Sequence, residues 1–349
     1  MPTYNGKMNH AELPVPEFFE PGNAGRLWRV PYEERARHAR QWAHAHHLKP
    51  SAEDTRRVCL FLIDLQNTFC LPDFELFVAG KSGKGAVEDN VRLCLFIYRN
   101  LHRITEIVAT MDTHTAMQIF HPIFWVDSNG EHPRPYTVIS LKDLEMGLWR
   151  VNSAIAGGAN IPDYDSLQAH ALHYVRRLTG AGRCPLMIWP YHSMLGGVGH
   201  ALVSSVEEAL FFHCIARASQ THFEIKGRFL LTENYSALRP EVSDTYDGSL
   251  IAFKNAELME KLLSFDAVII AGQAKSHCVA WTVEDLLTEI LERDPALTRK
   301  IYLLEDCTSP VVVSGGDFSD QAEAAFRRFA EAGMRTVRST EPIDGWLEG

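Results

Sequence analysis

Residues 268–281 read VIIAGQAKSHCVAW: an apolar run ends in Ala271-Gly272, and Cys278 then opens an apolar pattern of helical period. The thiolate is the reactive form of cysteine. The unpaired N–H groups at a helix start stabilise negative charge on sulphur or on an attacked carbonyl oxygen. The competing reading is a buried structural thiol. Cys59, Cys70, Cys94, Cys184, Cys214 and Cys307 lack this placement and take that second reading. Asp64 closes the apolar run VCLFLID (58–64), where an acid is expensive unless it has a partner or a task. It is a candidate base for a nucleophile on a neighbouring strand, or else a turn aspartate. Asp112 and His114 stand in MDTH, and carboxylate with imidazole suits zinc, iron or manganese. A metal needs further ligands, and His121 and the His192 of WPYH are candidates. Lys226 in EIKG ends another strand, and an ammonium beside a cysteine favours the thiolate.

These residues need a scaffold that gathers them. Segments at 58–64, 106–112, 222–226, 267–272, 300–306 and 335–339 read as strands, the first of them a continuous apolar run that suits burial on both faces. Helical periods at 86–104, 255–265, 276–293 and 320–333 fall between them. Alternation of this kind predicts an α/β fold: a three-layer α/β/α arrangement around a six-stranded, mostly parallel, doubly wound sheet. Such sheets bind ligands beyond the carboxyl ends of their strands, which is where Asp64, Asp112 and the Cys278 loop fall. Residues 122–186 break the alternation with turn-rich stretches (DSNGEHPRPY, AGGANIPDY) and one helical period near 164–179. They read as an insertion, a lid or a subunit contact. Residues 1–57 carry Pro14, Pro16, Pro21, Pro31 and Pro50 and one helical stretch at 32–48. They read as an N-terminal extension outside the core. Its cluster His44, His46 and His47 reads as a solvated helix face, because side chains two apart on a helix diverge.

The totals exclude several classes. A formal charge of -10 over 349 residues argues against a general nucleic-acid binder. Seven widely spaced cysteines without a CxxC pair argue for a reducing compartment rather than a disulfide scaffold. No apolar run approaches the roughly 20 residues of a membrane helix, and the polar, proline-broken N-terminus does not read as a signal peptide. A cytoplasmic protein with no membrane partner is expected.

Taken in chain order, LFLIDLQNTFC (60–70), MDTH, WPYH, IKGRFLLTENYSAL (225–238) and AGQAKSHCVAWTVEDL (271–286) resemble the motifs of the isochorismatase-like cysteine hydrolases, most closely nicotinamidases. The resemblance implies the isochorismatase-like hydrolase fold over 58–349, and a catalytic triad of Asp64, Lys226 and Cys278. It implies an oxyanion hole at the N–H groups of Ala274 and Cys278, with a cis peptide at Gln273-Ala274. It also implies a divalent metal (zinc, or iron or manganese) on Asp112, His114 and His192. His121 matches a fourth ligand found in some members. Phe69 and Trp189 would line the ring pocket. The implied activity is hydrolysis of nicotinamide, a step of NAD metabolism, or of a related small aromatic amide, through a thioester, in a homo-oligomer. Two alternatives stay open: an amidase for a carbamoyl or maleamate-like substrate, and a non-catalytic binding protein. Two departures touch the substrate: Ser193 follows the motif histidine where nicotinamidases usually have cysteine, and Lys275 and His277 are expected to add positive charge beside the nucleophile.

Overall fold

The computed structural model describes residues 12–158, 161–181, 185–313 and 316–347. Six strands form the central sheet: β1 (Val58–Ile63), β2 (Glu106–Asp112), β3 (His222–Lys226), β4 (Ala267–Gly272), β5 (Ile301–Leu304) and β6 (Arg335–Val337). All neighbours pair in parallel, in the order β3-β2-β1-β4-β5-β6. The chain starts in the middle of the sheet, winds to one edge, returns to the centre and winds to the other. The fold is therefore a doubly wound α/β sheet, and the expected "mostly parallel" sheet is wholly parallel. Its direction of winding reverses between β1 and β4, which opens a crevice at their carboxyl ends.

Successive strand residues face opposite sides, and both sides are covered. Leu60, Leu62, Ile269 and Tyr302 enter one core with helices α2 (Gly85–Arg99) and α4 (Ser204–Arg217). Phe61, Ile63, Ile270 and Leu303 enter the other with α5 (Ala256–Leu263), α6 (Ala280–Arg293) and α7 (Ser319–Glu331). This double burial is the reason the central strands read as unbroken apolar runs. The register sets the site: Ile63 pairs with Gly272, and Asp112 pairs with Lys226.

The N-terminal segment departs from expectation. Residues 12–57 do not lie outside the core: Phe19 and Ala39, the latter on α1 (Tyr32–Ala45), are buried in it. The buried Arg217 guanidinium of α4 donates to both Asp54 carboxylate oxygens at 2.6 Å and to the Lys49 carbonyl. Polar composition concealed this packing, because the face that α1 turns to the core is built chiefly from alanines (Ala36, Ala39, Ala43) with Trp42, among many charged neighbours. Residues 1–11 lie outside the described residues. His44 and His47 are exposed, as a solvated face requires, while His46 packs against Trp42 with ring centroids 4.4 Å apart.

The described residues of 122–186 pack around a third core. Helix α3 (Tyr164–Ala181) contributes Leu167, Ala171, Tyr174 and Val175 to it, and Phe124, Trp125, Ile139 and Leu186 complete it. Trp189, Leu231 and Val242 join this core from outside the segment. Among the described residues, no helix is long and apolar enough to cross a membrane.

Candidate active site

Four groups stand in a row along the carboxyl rim, in the order of the strands that carry them: Lys226 of β3, Asp112 of β2, Asp64 just after β1, and Cys278 beyond β4. All four are buried. Lys226 Nζ lies 2.8 Å from Asp112 Oδ1, 2.9 Å from Asp64 Oδ2, 2.9 Å from the Asn234 carbonyl and 3.6 Å from Cys278 Sγ. Asp64 has a positive φ of 50°, and the Thr110 hydroxyl of β2 donates to its Oδ1. Two glycines make this proximity possible. A Cβ on Gly272 (φ +129°) would stand 2.1 Å from the Ile63 carbonyl oxygen, so β4 could not leave the sheet beside β1. A Cβ on Gly227 (φ +80°) would stand 2.7 Å from Asp112 Oδ1 and 2.8 Å from His114 Cε1. L residues at positive φ carry a steric cost in addition to that overlap.

Burial in low dielectric disfavours each charged form, and the neighbours decide which charges survive. For Lys226, burial works against the ammonium, but Asp112 and Asp64 outweigh it and hold its pKa well above the usual range. For Asp112, burial is likewise outweighed by His114 and Lys226, which hold the carboxyl well below its usual range. Asp64 goes the other way: burial raises it against the opposing pull of Lys226. Burial also pushes the Cys278 thiol well up, with Lys226 opposing. The resting pair is therefore a thiol beside a carboxylate of raised basicity. Burial pushes Cys70 and Cys94 up to about 12, and neither has a cation among its perturbing neighbours. Cys184, read as structural, lies outside the described residues.

Asp112 turns its other oxygen to a second cluster. His114 Nε2 is 2.8 Å and His192 Nε2 3.6 Å from Asp112 Oδ2. His114 Nδ1 bonds to the Gly227 carbonyl at 3.0 Å, and His192 Nδ1 bonds to the Pro190 carbonyl at 2.8 Å. A carbonyl only accepts, so each Nδ1 is the donor and each Nε2 faces the carboxylate; burial opposes a charge on His114, but Asp112 outweighs it and raises its pKa. The ligand atoms of Asp112, His114 and His192 lie within 4.8 Å of one another in a buried site, where a divalent cation can take the place of a proton. Carbonyl contacts of this type orient metal-binding histidines. The residues therefore fit a divalent metal held by two nitrogens and one oxygen. His121 stands beside the cluster rather than in it, with ring centroids 5.8 Å from His114 and 5.9 Å from His192. Its Nδ1 faces the Thr115 and Ala116 carbonyls, and its buried Nε2 has no hydrogen-bond partner among the described residues.

Cys278, Lys226, Asp112 and His192 open into a cleft whose walls include both expected residues, Phe69 and Trp189, together with Ala274. Sequence reasoning missed several other wall residues. Tyr235 accepts a hydrogen bond from Trp189 Nε1 at 2.9 Å, and Val311 and Val313 close one side. Glu233 is buried in the wall and pushed by burial to about 7, with His114 opposing. An acid in a loop carries no sequence signal of burial, so Glu233 could be found only by folding the chain. The charge expected from Lys275 and His277 is absent from the cleft. Lys275 Nζ pairs with Glu323 Oε1 at 2.7 Å and lies over the Phe326 ring, on the far side of the loop. Burial pushes His277 down to about 4, so it lines the cleft as a neutral ring against Trp189, Tyr235 and Phe318. The Gln273-Ala274 peptide is cis.

Comparison with solved structures gives the fold independently. The yeast nicotinamidase bound to the inhibitor nicotinaldehyde superposes with a TM-score of 0.50 at 16% identity, covering 80% of this chain and 99% of that one. A nicotinamidase/pyrazinamidase of Acinetobacter baumanii aligns with a TM-score of 0.48 at 17% identity, over 82% of this chain and 99% of that one. No protein-family model and no curated protein matches the chain.

Proposed function

We propose that this protein is a metal-dependent cysteine amidohydrolase that converts nicotinamide, or a related small aromatic amide, to the acid and ammonia. One observation carries the reading: Cys278, Lys226 and Asp64 are gathered in a buried row of hydrogen-bonded and ion-paired groups at the base of an aromatic-walled cleft. A thiol alone is a weak nucleophile, and an adjacent base with a fixed cation activates it. Asp64 takes the proton from Cys278, and Lys226 keeps the thiolate and the second carboxylate from repelling each other. Sulphur attacks the amide carbon, and the oxygen takes the negative charge against the N–H groups of Ala274 and Cys278. The C–N bond breaks as Asp64 returns the proton to nitrogen, which leaves as ammonia. Asp64 then accepts a proton from water, whose oxygen attacks the thioester and releases the acid and the thiol.

Asp112, His114 and His192, with His121 adjacent, would hold a divalent metal, zinc or else iron or manganese. That ion would supply a Lewis acid to fix a ring nitrogen of the substrate. Phe69 and Trp189 hold the ring by its faces and exclude water. The described cysteines are all free thiols, which supports a cytoplasmic setting; assembly as a homo-oligomer belongs to the same reading.

The test is ammonia release from a panel of small amides, with metal content measured on the same preparation. Turnover of nicotinamide or another heteroaromatic amide, lost in Cys278→Ala, is the expected result. Turnover confined to carbamoyl or maleamate-like amides would move the reading to that substrate class. No turnover of any amide by the metal-replete protein would end the hydrolase reading.

A further inference from the structure

Gln273 occupies the first position of the nucleophile loop, directly after β4, and is wholly buried. A buried amide side chain is costly unless both of its ends are bonded. Both are. Its Nε2 donates to Asp89 Oδ2 at 2.8 Å, and its Oε1 accepts the Ser309 N–H at 3.3 Å. Asp89, on α2, is itself 2% exposed, and Arg92 Nη2 donates to its other oxygen at 2.7 Å. Arg92 Nε donates in turn to the Asp306 carbonyl, at the start of the loop that follows β5. That loop grips the nucleophile loop twice more: Lys275 N–H donates to the Ser309 carbonyl at 2.8 Å, and Val311 N–H donates to Ser276 Oγ at 3.0 Å. Helix α2 approaches closely enough that a Cβ on Gly85 would stand 2.6 Å from Ser309 Oγ.

We infer that Asp89 is a positioning residue that acts through Gln273, fixing the Gln273–Ala274 peptide and with it the N–H direction that meets the developing oxyanion. The inference rests on the hydrolase reading above. A buried carboxylate held by Arg92 on one oxygen and turned to a neutral amide with the other adds nothing to the apolar cores. It serves to make a hydrogen bond stronger than a neutral partner would. The Val311–Ser276 bond ties the same loop to the cleft wall at Val311, so the oxyanion position and that part of the wall are set by one network.

The experiment compares wild type with Asp89→Asn, Gln273→Leu, the double variant Asp89→Asn/Gln273→Leu, and the exchange Asp89→Asn/Gln273→Glu. The exchange keeps the charge and restores the bond with donor and acceptor reversed. Turnover, alkylation of Cys278 by iodoacetamide, and protection of Cys278 by nicotinaldehyde are measured on each. Removing an oxyanion donor outright costs about 100- to 1000-fold in kcat, and misdirecting one should cost about 10- to 100-fold. The expected result is such a fall in kcat for each single variant with KM nearly unchanged, since only the transition state carries the charge. Aldehyde protection should weaken in parallel, because the captured adduct carries the same oxygen. Alkylation, which develops no oxyanion, should stay within about twofold of wild type. The double variant should be no worse than Gln273→Leu, and the exchange should recover most of the activity. Unchanged kcat in Gln273→Leu, a loss confined to KM, slowed alkylation, or an exchange no better than Asp89→Asn would each overturn the inference. Aldehyde protection needs no turnover. A wild type inactive on every amide would end the hydrolase reading, while the protection series would still decide the role of Asp89.

Discussion

Replacing Lys226 with methionine removes the ammonium that lies 2.8 Å from Asp112 and 2.9 Å from Asp64, and leaves volume and apolar stem nearly unchanged. Asp112 keeps His114 at 2.8 Å, so the charge left without a cation is chiefly that of Asp64. Breaking a buried pair by removing one partner costs about 3–5 kcal/mol. No discount for solvent screening applies, because both side chains are 3% exposed or less. At about 2.1 cal/mol/K per residue, a chain of 349 residues has an unfolding entropy near 0.7 kcal/mol/K, so the expected fall in Tm is about 4–7 °C. The sign of the pH dependence follows. Without the ammonium, the folded pKa of Asp64 rises further above its unfolded value. The deficit is then fully present above the folded pKa and disappears as pH falls toward about 4, where the unfolded chain also binds the proton. The assay is calorimetry of wild type, Lys226→Met and Lys226→Met/Asp64→Asn between pH 5 and 8. The double variant should regain most of the lost stability, yet release no ammonia. Equal Tm values for Lys226→Met and wild type at pH 7 would refute the reasoning, as would a double variant no more stable than Lys226→Met.

Gly227→Ala should weaken the metal site at least about 10-fold in a chelator competition, because its Cβ would press on both Asp112 and His114; unchanged affinity would show that the site yields without cost. His213 is buried on α4, bonds to the Ile104 carbonyl at 2.9 Å, and is pushed by burial down to about 4. Its depressed pKa means that the unfolded chain binds the proton first, so up to about 3 kcal/mol of stability is lost as pH falls from 6.5 to 4. A His213→Gln variant should show a flatter stability profile over that window in denaturant titrations. Arg217→Met should cost about 3–5 kcal/mol by leaving Asp54 without its buried partner, and limited proteolysis should then cut first within residues 12–57.

The central strands were legible because they are covered on both faces and so appear as apolar runs, and the predicted bounds of β2 and β4 are those of the structure; the bounds of the edge strand β3 also agree, although Phe223 and Ile225 are exposed there. The rim followed from the same alternation, which placed Asp64, Asp112 and Cys278 at strand ends before any contact was known. Helix α4 offered a weaker signal. Ser205, Glu208, Leu210, Phe212, His213 and Arg217 are all buried, so it is covered on several sides and no single apolar stripe marks it. The wrong expectation for Lys275 and His277 has a plain physical cause. Sequence records that a residue can be charged, not which side of a loop it leaves from or whether burial allows the charge. The Asp89–Gln273 contact spans 184 positions of sequence, and only the winding of the sheet brings its two ends together.

Trp189 belongs to two structures at once: it lines the cleft and it is part of the core built by residues 122–186. The groups proposed to move protons and make bonds are fixed to the central strands and are tied to one another by charge. The wall of the cleft is partly owned by a separate packing unit. Substitutions among Phe124, Ile139, Leu167 or Val175 can shift that wall without touching an ion pair on the rim. Under the proposed function, substitutions in one stretch of the chain can change which substrate is accepted while those in another govern the reaction itself.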